Sequence, residues 1–503
     1  MGQADFASVL VPRSRSERRR VPSLIDVTLD RQQRSAIELP PGQPLLVLGE
    51  AGHGKTTVLL QRVARLWRTS NAPLRAAVLV PNEGLARLLQ PLLRRLGADI
   101  EVFTFDRFAR RQARRAFKGL PRESDGAPAG VLRVKRSNAL RAALEALAVR
   151  TPGCVDDDAD SAPPQLARGR GVPLVSYGDL QHLYGDRVLM SAVVKAAHLP
   201  AYLLEDILER TRIQFSATTE REWAHVIDRA RLRALDGRAI DDGTATGDAG
   251  TLDAEDYAVL FELERLRAAD RKTRPIRPRS FHLIAVDEAQ ELAPLELALI
   301  GRSLARDGTL VVSGDADQHT DETSAFTGWD TVMTELGAAD YTCTRLEIGY
   351  RCPPDVVRIA RAVRDGDTAR ANIHVFSDEQ SLAQELSPAL RALQRRDSRA
   401  SIAVICRDPL VARRLAGLWR GSLPVRLVFD GHFLPRGPVQ LSVVDEVKGL
   451  EFDYVVVADA NSRSYPDDAA ARRALYVAAT RARHQLVFAC AGASTPLLRS
   501  SAE

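Results

Sequence analysis

Cysteine is scarce in this chain and follows no pattern. Its five cysteines are scattered, with no C-x-x-C pair and no clustering with histidine. This pattern argues against a disulfide framework or a zinc site as the basis of the fold. This usage of cysteine is typical of a reducing compartment, and we expect a cytoplasmic protein.

Long apolar runs are missing as well. No segment approaches the roughly 20 residues that a membrane-spanning helix requires, and the N-terminus has no apolar core of a signal peptide. Apolar residues make up 45% of the chain and charged residues 27%, as in an ordinary globular protein. The 503 residues correspond to about three domains, each large enough to bury a core.

Lysine is rare beside arginine, so each lysine is informative. The net charge of +5 permits a polyanionic partner without requiring one. Residues 1–24 contain Arg13, Arg15 and Arg18 to Arg20, and they are predicted to form a basic N-terminal arm. Such an arm either contacts nucleic acid or is a solvated tail.

The most informative segment that is present is a glycine-rich loop at residues 49–56. An apolar strand candidate at Leu45–Leu48 precedes it, and a helical pattern follows from Thr57. This is the strand–loop–helix context of the G-x-x-x-x-G-K-[ST] phosphate loop. Its glycines let consecutive backbone N–H groups converge on phosphate oxygens, and the helix N-terminus adds partial positive charge.

The side chains of this loop predict a site for ATP and Mg²⁺. Lys55 is expected to reach the β- and γ-phosphates, and the Thr56 hydroxyl is expected to bind Mg²⁺. The predicted nucleotide contacts of the loop are Gly49, Gly52, Gly54, Lys55, Thr56 and Thr57.

An acidic pair follows a second apolar strand candidate. Residues 281–286 run into Asp287 and Glu288. Asp287 is expected to hold Mg²⁺ through its water shell, and Glu288 is expected to orient and deprotonate the attacking water. After a further strand candidate, Gln318 lies where a polar side chain can sense the γ-phosphate.

Short apolar strands alternate with helical stretches along the chain, which is typical of an α/β fold with a parallel sheet. One group of strand candidates is 45–48, 77–80, 283–286 and 310–312, and a second is 402–405, 441–444, 454–457 and 486–488. Two groups predict two α/β domains. The region between the strand candidates 77–80 and 283–286 is mainly helical, as at 138–149, 199–209 and 256–268. It is predicted to be an insertion into the first domain.

Further motifs extend this pattern to the C-terminus. Residues 29–37 read as a Q-motif, 102–109 as T-F-x-x-F-A and 346–351 as L-x-x-N-Y-R. Residues 447–453 match K-G-L-E-F, and 472–483 match R-R-L-x-Y-V-A-x-T-R-A. Taken in order, the motifs resemble superfamily-1 helicases of the UvrD/Rep/PcrA type.

The resemblance implies two RecA-like parallel-sheet domains with an ATP cleft between them and a mainly helical insertion in the first. The implied division is a basic arm at 1–24, a first domain (1A) at 25–110 and 275–340, a helical 1B-like insertion at 111–274, and a second domain (2A) at 341–503. The accessory 2B domain of the family is missing or vestigial, since a short loop at 434–438 leaves no room for it.

The resemblance also assigns roles around ATP. It implies that Gln33 contacts the adenine, that Tyr350 stacks on the base, and that Glu451 belongs to the nucleotide site. It implies that Arg351 and Arg481 reach the phosphates from the second domain, where such an arginine is worth roughly 10³–10⁵ in rate. The catalytic set that results is Lys55, Glu288, Gln318, Arg351 and Arg481.

The resemblance places single-stranded nucleic acid on residues of both domains. The implied contacts are Asn82, Thr104, Phe105, Trp329 and Lys448. DNA is the expected polymer, and RNA stays open because the sequence does not place contacts to a 2′-OH.

This nucleic-acid track departs from the family pattern. Val80 and Pro81 offer no stacking face, and Glu83 replaces a basic residue. Residues 319–324 are inserted before Trp329, which is either a base-stacking residue or a buried packing residue.

Two functions follow as hypotheses. The first is an ATP-dependent translocase or helicase on single-stranded nucleic acid that moves 3′→5′ by resemblance. The alternative is a partner-gated ATPase switch in a DNA repair or anti-phage defence complex, with a nuclease as a possible protein partner. An unrelated P-loop kinase or GTPase predicts no arginines from a second domain and is disfavoured.

Overall fold

A computed structural model of the protein describes residues 10–12, 25, 28–70, 72–124, 126–150, 173–216, 248–349, 352–434 and 436–500. The arginines of the predicted N-terminal arm lie outside these residues, as do Tyr350 and Arg351. In the part of the chain described here, no helix combines the length and the apolar composition needed to cross a bilayer.

Helices and strands alternate along the chain. Up to residue 150 they are α1 (Arg31–Glu38), β1 (Leu45–Leu48), α2 (Lys55–Thr69), β2 (Ala76–Val80), α3 (Glu83–Arg95), β3 (Glu101–Thr104), α4 (Phe105–Ala116), β4 (Arg122–Glu123), α5 (Ala129–Lys135) and α6 (Leu140–Ala148). From 173 to 349 they are α7 (Gly178–Gly185), α8 (Arg187–Ala196), α9 (Leu203–Gln214), β5 (Thr251–Leu252), α10 (Asp256–Asp270), β6 (Phe281–Val286), α11 (Pro294–Arg302), β7 (Leu304–Gly314), α12 (Trp329–Glu335) and β8 (Thr342–Arg345). From 352 onward they are α13 (Pro354–Arg364), β9 (Ala369–Ala371), β10 (Ile373–Phe376), α14 (Glu379–Arg396), β11 (Ile402–Cys406), α15 (Pro409–Leu418), β12 (Val425–Leu427), β13 (Val439–Val443), β14 (Phe452–Val457), α16 (Ala469–Ala479), β15 (Ala482–Ala491) and β16 (Leu498–Ser500).

The first sheet has the strand order β3-β2-β6-β7-β1-β8, and its strand pairs are parallel. Its central strands are apolar and buried because helices cover both faces of a parallel sheet. Leu45 pairs with Val311, and Ile284 pairs with Ala77. The carboxyl ends of β1, β6 and β7 therefore lie side by side, and the three motifs of the nucleotide site follow these strands.

The second sheet has the order β10-β15-β14-β11-β13-β12 and is parallel too. Its strand β11 is buried along its whole length, and a fully buried Trp419 packs behind it among apolar side chains. The predicted α/β class with two RecA-like parallel sheets is thus confirmed.

Helices α5 to α10 follow the first three strands of sheet one and precede β6. They share one apolar cluster with the sheet, in which Phe117 packs edge-on against Phe261 with ring centroids 5.0 Å apart. A buried ion cluster joins α5 to the start of α10, because Lys135 Nζ lies 2.7 Å from Asp253 Oδ2 and 2.8 Å from Asp256 Oδ1.

The numerical division into domains stays a prediction, with one detail that differs from it. Residues 342–345 fall within the range predicted for the second domain, yet they form strand β8, which pairs with β1 in the first sheet, where Leu45 lies opposite Thr342. Because β8 is a short edge strand with alternating exposure, its sequence has no apolar run that would have indicated it.

The loop between β12 and β13 lies where the family resemblance predicts that the accessory domain would be inserted. Its Phe433 packs against Gly84 at the start of α3, where an added Cβ would lie 3.1 Å from the Phe433 ring. A neighbouring loop residue, His432, contacts Arg87 of the same helix. The short loop therefore fixes the second sheet against the first near the expected nucleic-acid track.

Candidate nucleotide site and interdomain cleft

The phosphate loop makes its tight turns at glycine residues. Gly52 and Gly54 have φ of +82° and +88°, a region that favours glycine. Gly54 is also the residue before α2, and an added Cβ there would lie 2.7 Å from Gln33 Nε2. The loop conformation consequently needs glycine at this position for two independent reasons.

Lys55 is buried at the base of the loop. Its Nζ donates to the carbonyl oxygens of Gly49 at 2.8 Å and Glu50 at 3.2 Å. It also lies 3.9 Å from Asp315 Oδ2, at the end of β7. The backbone of the loop thus holds the ammonium group among the N–H groups that would bind a polyphosphate.

Two hydroxyl groups donate to Asp287, one from the first turn of α2 and one from β7. Thr56 Oγ1 donates to its Oδ2 at 2.8 Å, and Ser313 Oγ donates to its Oδ1 at 2.7 Å. Burial, and next the charge of Glu288, raise the pKa of Asp287 to about 6. Hydroxyl and carboxylate oxygens with an excess of negative charge suit Mg²⁺, so Thr56 and Asp287 fit this ion.

Glu288 sits on a strained turn after β6, with φ of +53°. Gln290 Nε2 donates to its Oε2 at 2.8 Å, and Gln290 Oε1 accepts the Asp315 N–H at 3.1 Å. Gln290 therefore ties the acidic pair to the end of β7. Sequence reasoning gave Gln290 no role, although it stands two residues after Glu288.

Gln318 and Arg481 meet across the cleft. Arg481 Nη2 donates to Gln318 Oε1 at 2.8 Å, and Gln318 Nε2 donates to Asp315 Oδ2 at 2.8 Å. Arg481 is buried, and its Nε donates to the Val477 carbonyl at 2.9 Å. Two predicted catalytic residues from different sheets are thus in direct contact.

Tyr476 of α16 makes a second contact across the cleft, and the motif comparison did not single it out. The Ala51 N–H of the phosphate loop donates to Tyr476 Oη at 3.3 Å, and this hydroxyl donates to Asp315 Oδ2 at 3.5 Å. Burial, and next the charge of Asp315, raise the pKa of Tyr476. A neutral hydroxyl from the second sheet thus lies against the loop.

The residues expected near the base are less closely grouped. Gln33 lies beside the phosphate loop, with Nε2 donating to the His53 carbonyl at 3.3 Å. Glu451 pairs with Arg483 Nε at 2.6 Å. The implied adenine and ribose contacts stay predictions, as does the role of Thr57, which is buried in the first turn of α2.

Several residues of the predicted nucleic-acid track are engaged within the protein. Asn82 caps α3, and its Nδ2 donates to the Lys448 carbonyl at 3.1 Å. Thr104 caps α4, and Phe105 is buried among apolar side chains. Lys448 lies 2.9 Å from Glu291 Oε2 in a nearly buried ion pair.

Trp329 is partly buried beside the nucleotide site. Its ring packs edge-on against Phe326 with centroids 5.0 Å apart and lies against Gly314. These contacts correspond to the packing alternative for this residue. A stacking role toward a base stays a prediction.

A cavity of about 570 Å³ lies where the two sheets and the helical insertion meet. Eight acidic and three basic residues are among the described residues that line it: Asp106, Glu255, Glu291, Glu296, Asp321, Glu322, Asp445 and Glu446 against Arg136, Arg407 and Lys448. Burial, and next the charge of Asp106, raise the pKa of Glu255 to about 8. The cavity is therefore acidic, which the sequence did not predict for the expected track of a polyanion.

Segment 319–324, which the family pattern lacks, crosses this cavity. Thr320 Oγ1 donates to Asp445 Oδ1 at 3.2 Å, and Glu322 Oε1 lies 3.3 Å from Arg407 Nη2. On the other side, Asp321 contacts Arg136 of the helical insertion. The segment consequently connects the first sheet, the insertion and the second sheet.

Comparison with known proteins agrees with this arrangement. Residues 29–320 match the UvrD/REP helicase N-terminal domain, and residues 439–489 match the UvrD-like helicase C-terminal domain. None of the curated proteins compared with the chain matches it. Among solved structures, the C-terminal domain of a possible DNA helicase from Lactobacillus plantarum WCFS1 is 24% identical, with 30% of this chain and 92% of that chain covered and a TM-score of 0.26.

The two family matches together span more than half of the chain, and their motifs meet at one cleft. Phosphate loop, acidic pair and an arginine from a second sheet are the parts that ATP hydrolysis requires. The chain therefore belongs to the UvrD-like helicase family and is an ATP-hydrolysing enzyme of the DNA helicase type.

Proposed function

We propose that the protein is an ATP-driven translocase on single-stranded nucleic acid, with DNA as the expected polymer and 3′→5′ as the expected direction. The contact between Gln318 and Arg481 carries the proposal, since it links the nucleotide site of one sheet to the other. Hydrolysis that depends on this contact couples ATP turnover to closure of the cleft, and each closure can advance a bound strand.

Each residue of the site has a proposed task. Lys55 and the loop N–H groups bind and orient the phosphates, and Glu288, held by Gln290, takes the proton of the attacking water. Thr56 and Asp287 would hold Mg²⁺, which when bound neutralises charge on the phosphate oxygens. Arg481 stabilises charge on the transferring phosphoryl group.

Substitutions at the ATP site test the catalytic roles. We expect Lys55→Ala and Glu288→Gln each to lower ATP turnover by at least about 100-fold, because one loses the phosphate cation and the other the general base. Steady-state ATP hydrolysis by the purified full chain measures this. Exposed residues supply matched controls, Lys118→Ala and Glu385→Gln, and near-normal turnover in a site variant would contradict the mechanism.

The polymer is tested by measuring ATP turnover alone and with single-stranded DNA, single-stranded RNA or duplex DNA. We expect strong stimulation by one single-stranded polymer. Movement of the enzyme toward a label at one end of that polymer then reads the direction. Equal rates under all four conditions would contradict a nucleic-acid motor.

The acidic cavity favours a second candidate function. A partner-gated ATPase switch in a DNA repair or anti-phage defence complex needs no strongly basic track, and segment 319–324 already occupies the cavity. We expect such a switch to turn over ATP only with a co-purifying protein, and a nuclease is one possibility. Strong stimulation of the isolated chain by nucleic acid would contradict it.

We retain three further proposals. The division into 1A, 1B-like insertion and 2A is supported by the order of strands in the two sheets. A cytoplasmic location is supported by scattered cysteines without a pairing pattern. The roles of Tyr350 and Arg351 are supported by the family motif that contains them.

A further inference from the structure

Glu50 is a carboxylate inside the phosphate loop, and arginines of α13 bind both of its oxygens. Arg361 Nε and Nη2 each lie 2.9 Å from Glu50 Oε2, and Arg364 Nη1 lies 2.7 Å from Oε1. These contacts join positions more than 300 residues apart. They link the phosphate loop to the helix that follows the segment containing Tyr350 and Arg351.

The surroundings of Glu50 strengthen these ion pairs. The side chains of Glu50 and Arg364 are 29% and 21% exposed, so water screens the charges only in part. Burial alone would raise the pKa of Glu50, yet the hydrogen bonds from Arg364 and Arg361 lower it below its usual value. Arg364 also lies 3.7 Å from Asp317, next to Gln318.

A carboxylate in this loop opposes binding of a triphosphate, since like charges repel at short range. Two guanidinium groups from the second domain neutralise it. The favourable charge of the loop therefore depends on where α13 lies. None of the motifs of the nucleotide site contains Glu50, Arg361 or Arg364 as a functional position.

We propose that Glu50, Arg361 and Arg364 form a positioning latch. In this latch, the arginines of α13 neutralise the charge of Glu50 only when the second domain is closed against the phosphate loop. The latch makes affinity for ATP and closure of the cleft depend on the same contact. This inference rests on the proposed ATP-driven function and adds three residues to it. They act through the loop and through the placement of Arg481, and none is proposed to touch the reacting atoms.

Opposite shifts in KM distinguish the latch from a structural role. Glu50→Gln removes the repelling charge, so KM for ATP falls about threefold, while weaker closure lowers kcat about fivefold. The pair Arg361→Gln and Arg364→Gln leaves Glu50 unneutralised, so KM rises about fivefold and kcat again falls. Added to Glu50→Gln, the arginine changes have little further effect on KM.

The experiment compares these variants of the full chain in ATP hydrolysis and in binding of a fluorescent, non-hydrolysable ATP analogue. Arg358→Gln is the matched control, because Arg358 is an exposed arginine of α13 that pairs with Asp355 at 3.6 Å and not with the loop. We expect Arg358→Gln to leave KM and kcat within about twofold of the unmodified protein.

A rise in KM for both Glu50→Gln and the arginine pair would overturn the latch, because a damaged loop weakens binding whatever the charge. Additive effects in the combined variant would overturn it too. If the unmodified chain binds the analogue without hydrolysing ATP, the proposed function fails, and opposite shifts in the analogue's Kd still test the latch. If the chain binds no ATP, both proposals fail.

Discussion

Among single residues, Gly314 occupies the most crowded position near the acidic pair. An added Cβ would overlap the Trp329 ring and Gln290 Oε1. Gln290 is hydrogen-bonded to both Glu288 and the Asp315 N–H. A side chain at position 314 would displace Gln290 and would therefore shift the general base Glu288 without contacting it. The absence of a side chain at Gly314 therefore keeps Gln290 in place.

We predict that Gly314→Ala lowers kcat by about tenfold or more. A misplaced general base loses part of the rate enhancement that general base catalysis provides, which is roughly 10²–10⁴-fold. KM for ATP stays nearly unchanged, since Lys55 and its loop are not displaced. Gly417→Ala is the control, because its helical position has open space around it. An unchanged kcat in Gly314→Ala would mean that Gln290 does not position Glu288.

Several individual residues of the nucleotide site were predicted from the sequence. The phosphate-loop and acidic-pair motifs predicted Lys55 and Glu288, and the family resemblance predicted that Arg481 reaches the same cleft. The partners of Glu50 and the contact of Tyr476 with Ala51 were missed, since such pairs depend on how two sheets are set against each other. Nothing local in the chain encodes that placement.

Among the elements, α5 and α10 are joined by the charge cluster around Lys135. Its Nζ is fully buried and is bound by Asp253 and Asp256, while Tyr184 donates to Asp256 Oδ1 at 3.0 Å. A buried cluster of this kind is sensitive to loss of one partner, because the remaining charges stay unpaired in a poorly polarisable interior.

We predict that Lys135→Met destabilises the helical insertion by about 3–5 kcal/mol, the range for breaking a buried ion pair. The midpoint of urea unfolding, followed by circular dichroism, measures the change. Exposed Lys118→Met should shift the midpoint little. Equal midpoints for the two variants would show that the cluster adds nothing to stability.

Elements with a buried apolar run were predicted well, and strands at the edges of the first sheet were not. The bounds of β1 agree with the prediction, and α6 (Leu140–Ala148) lies within the predicted helix 138–149. Strand β3 (Glu101–Thr104) was treated only as part of a nucleic-acid segment, because it lies at the sheet edge and begins with an exposed charge. Tertiary pairing with β2 decides its conformation.

At the scale of the whole molecule, an acidic cavity lies between the two sheets and the insertion. A polyanion that entered it would meet more carboxylates than guanidinium and ammonium groups. Glu322 is an exposed acidic residue of segment 319–324, and Glu446 lines the same cavity from the second domain.

We predict that Glu322→Gln combined with Glu446→Gln raises affinity for a single-stranded oligonucleotide by about three- to tenfold at low salt, because two repelling charges are removed. Fluorescence anisotropy with a labelled oligonucleotide measures this, and the gain should shrink as salt is added. Glu385→Gln, an exposed position on α14, is the control. An unchanged affinity would place the bound polymer outside the cavity.

The hydrogen bond from the Ala51 N–H to the Tyr476 hydroxyl affects how strongly ATP turnover can be stimulated, because it holds the two domains in contact. The fraction of molecules in which the two domains are in contact before a stimulus arrives sets the basal rate of the enzyme. If half of the molecules are closed before a stimulus arrives, full closure can raise the rate only about twofold. The strength of the contacts between the two domains thus sets the largest stimulation that the enzyme can show, and stronger contacts would raise the basal rate while reducing that stimulation.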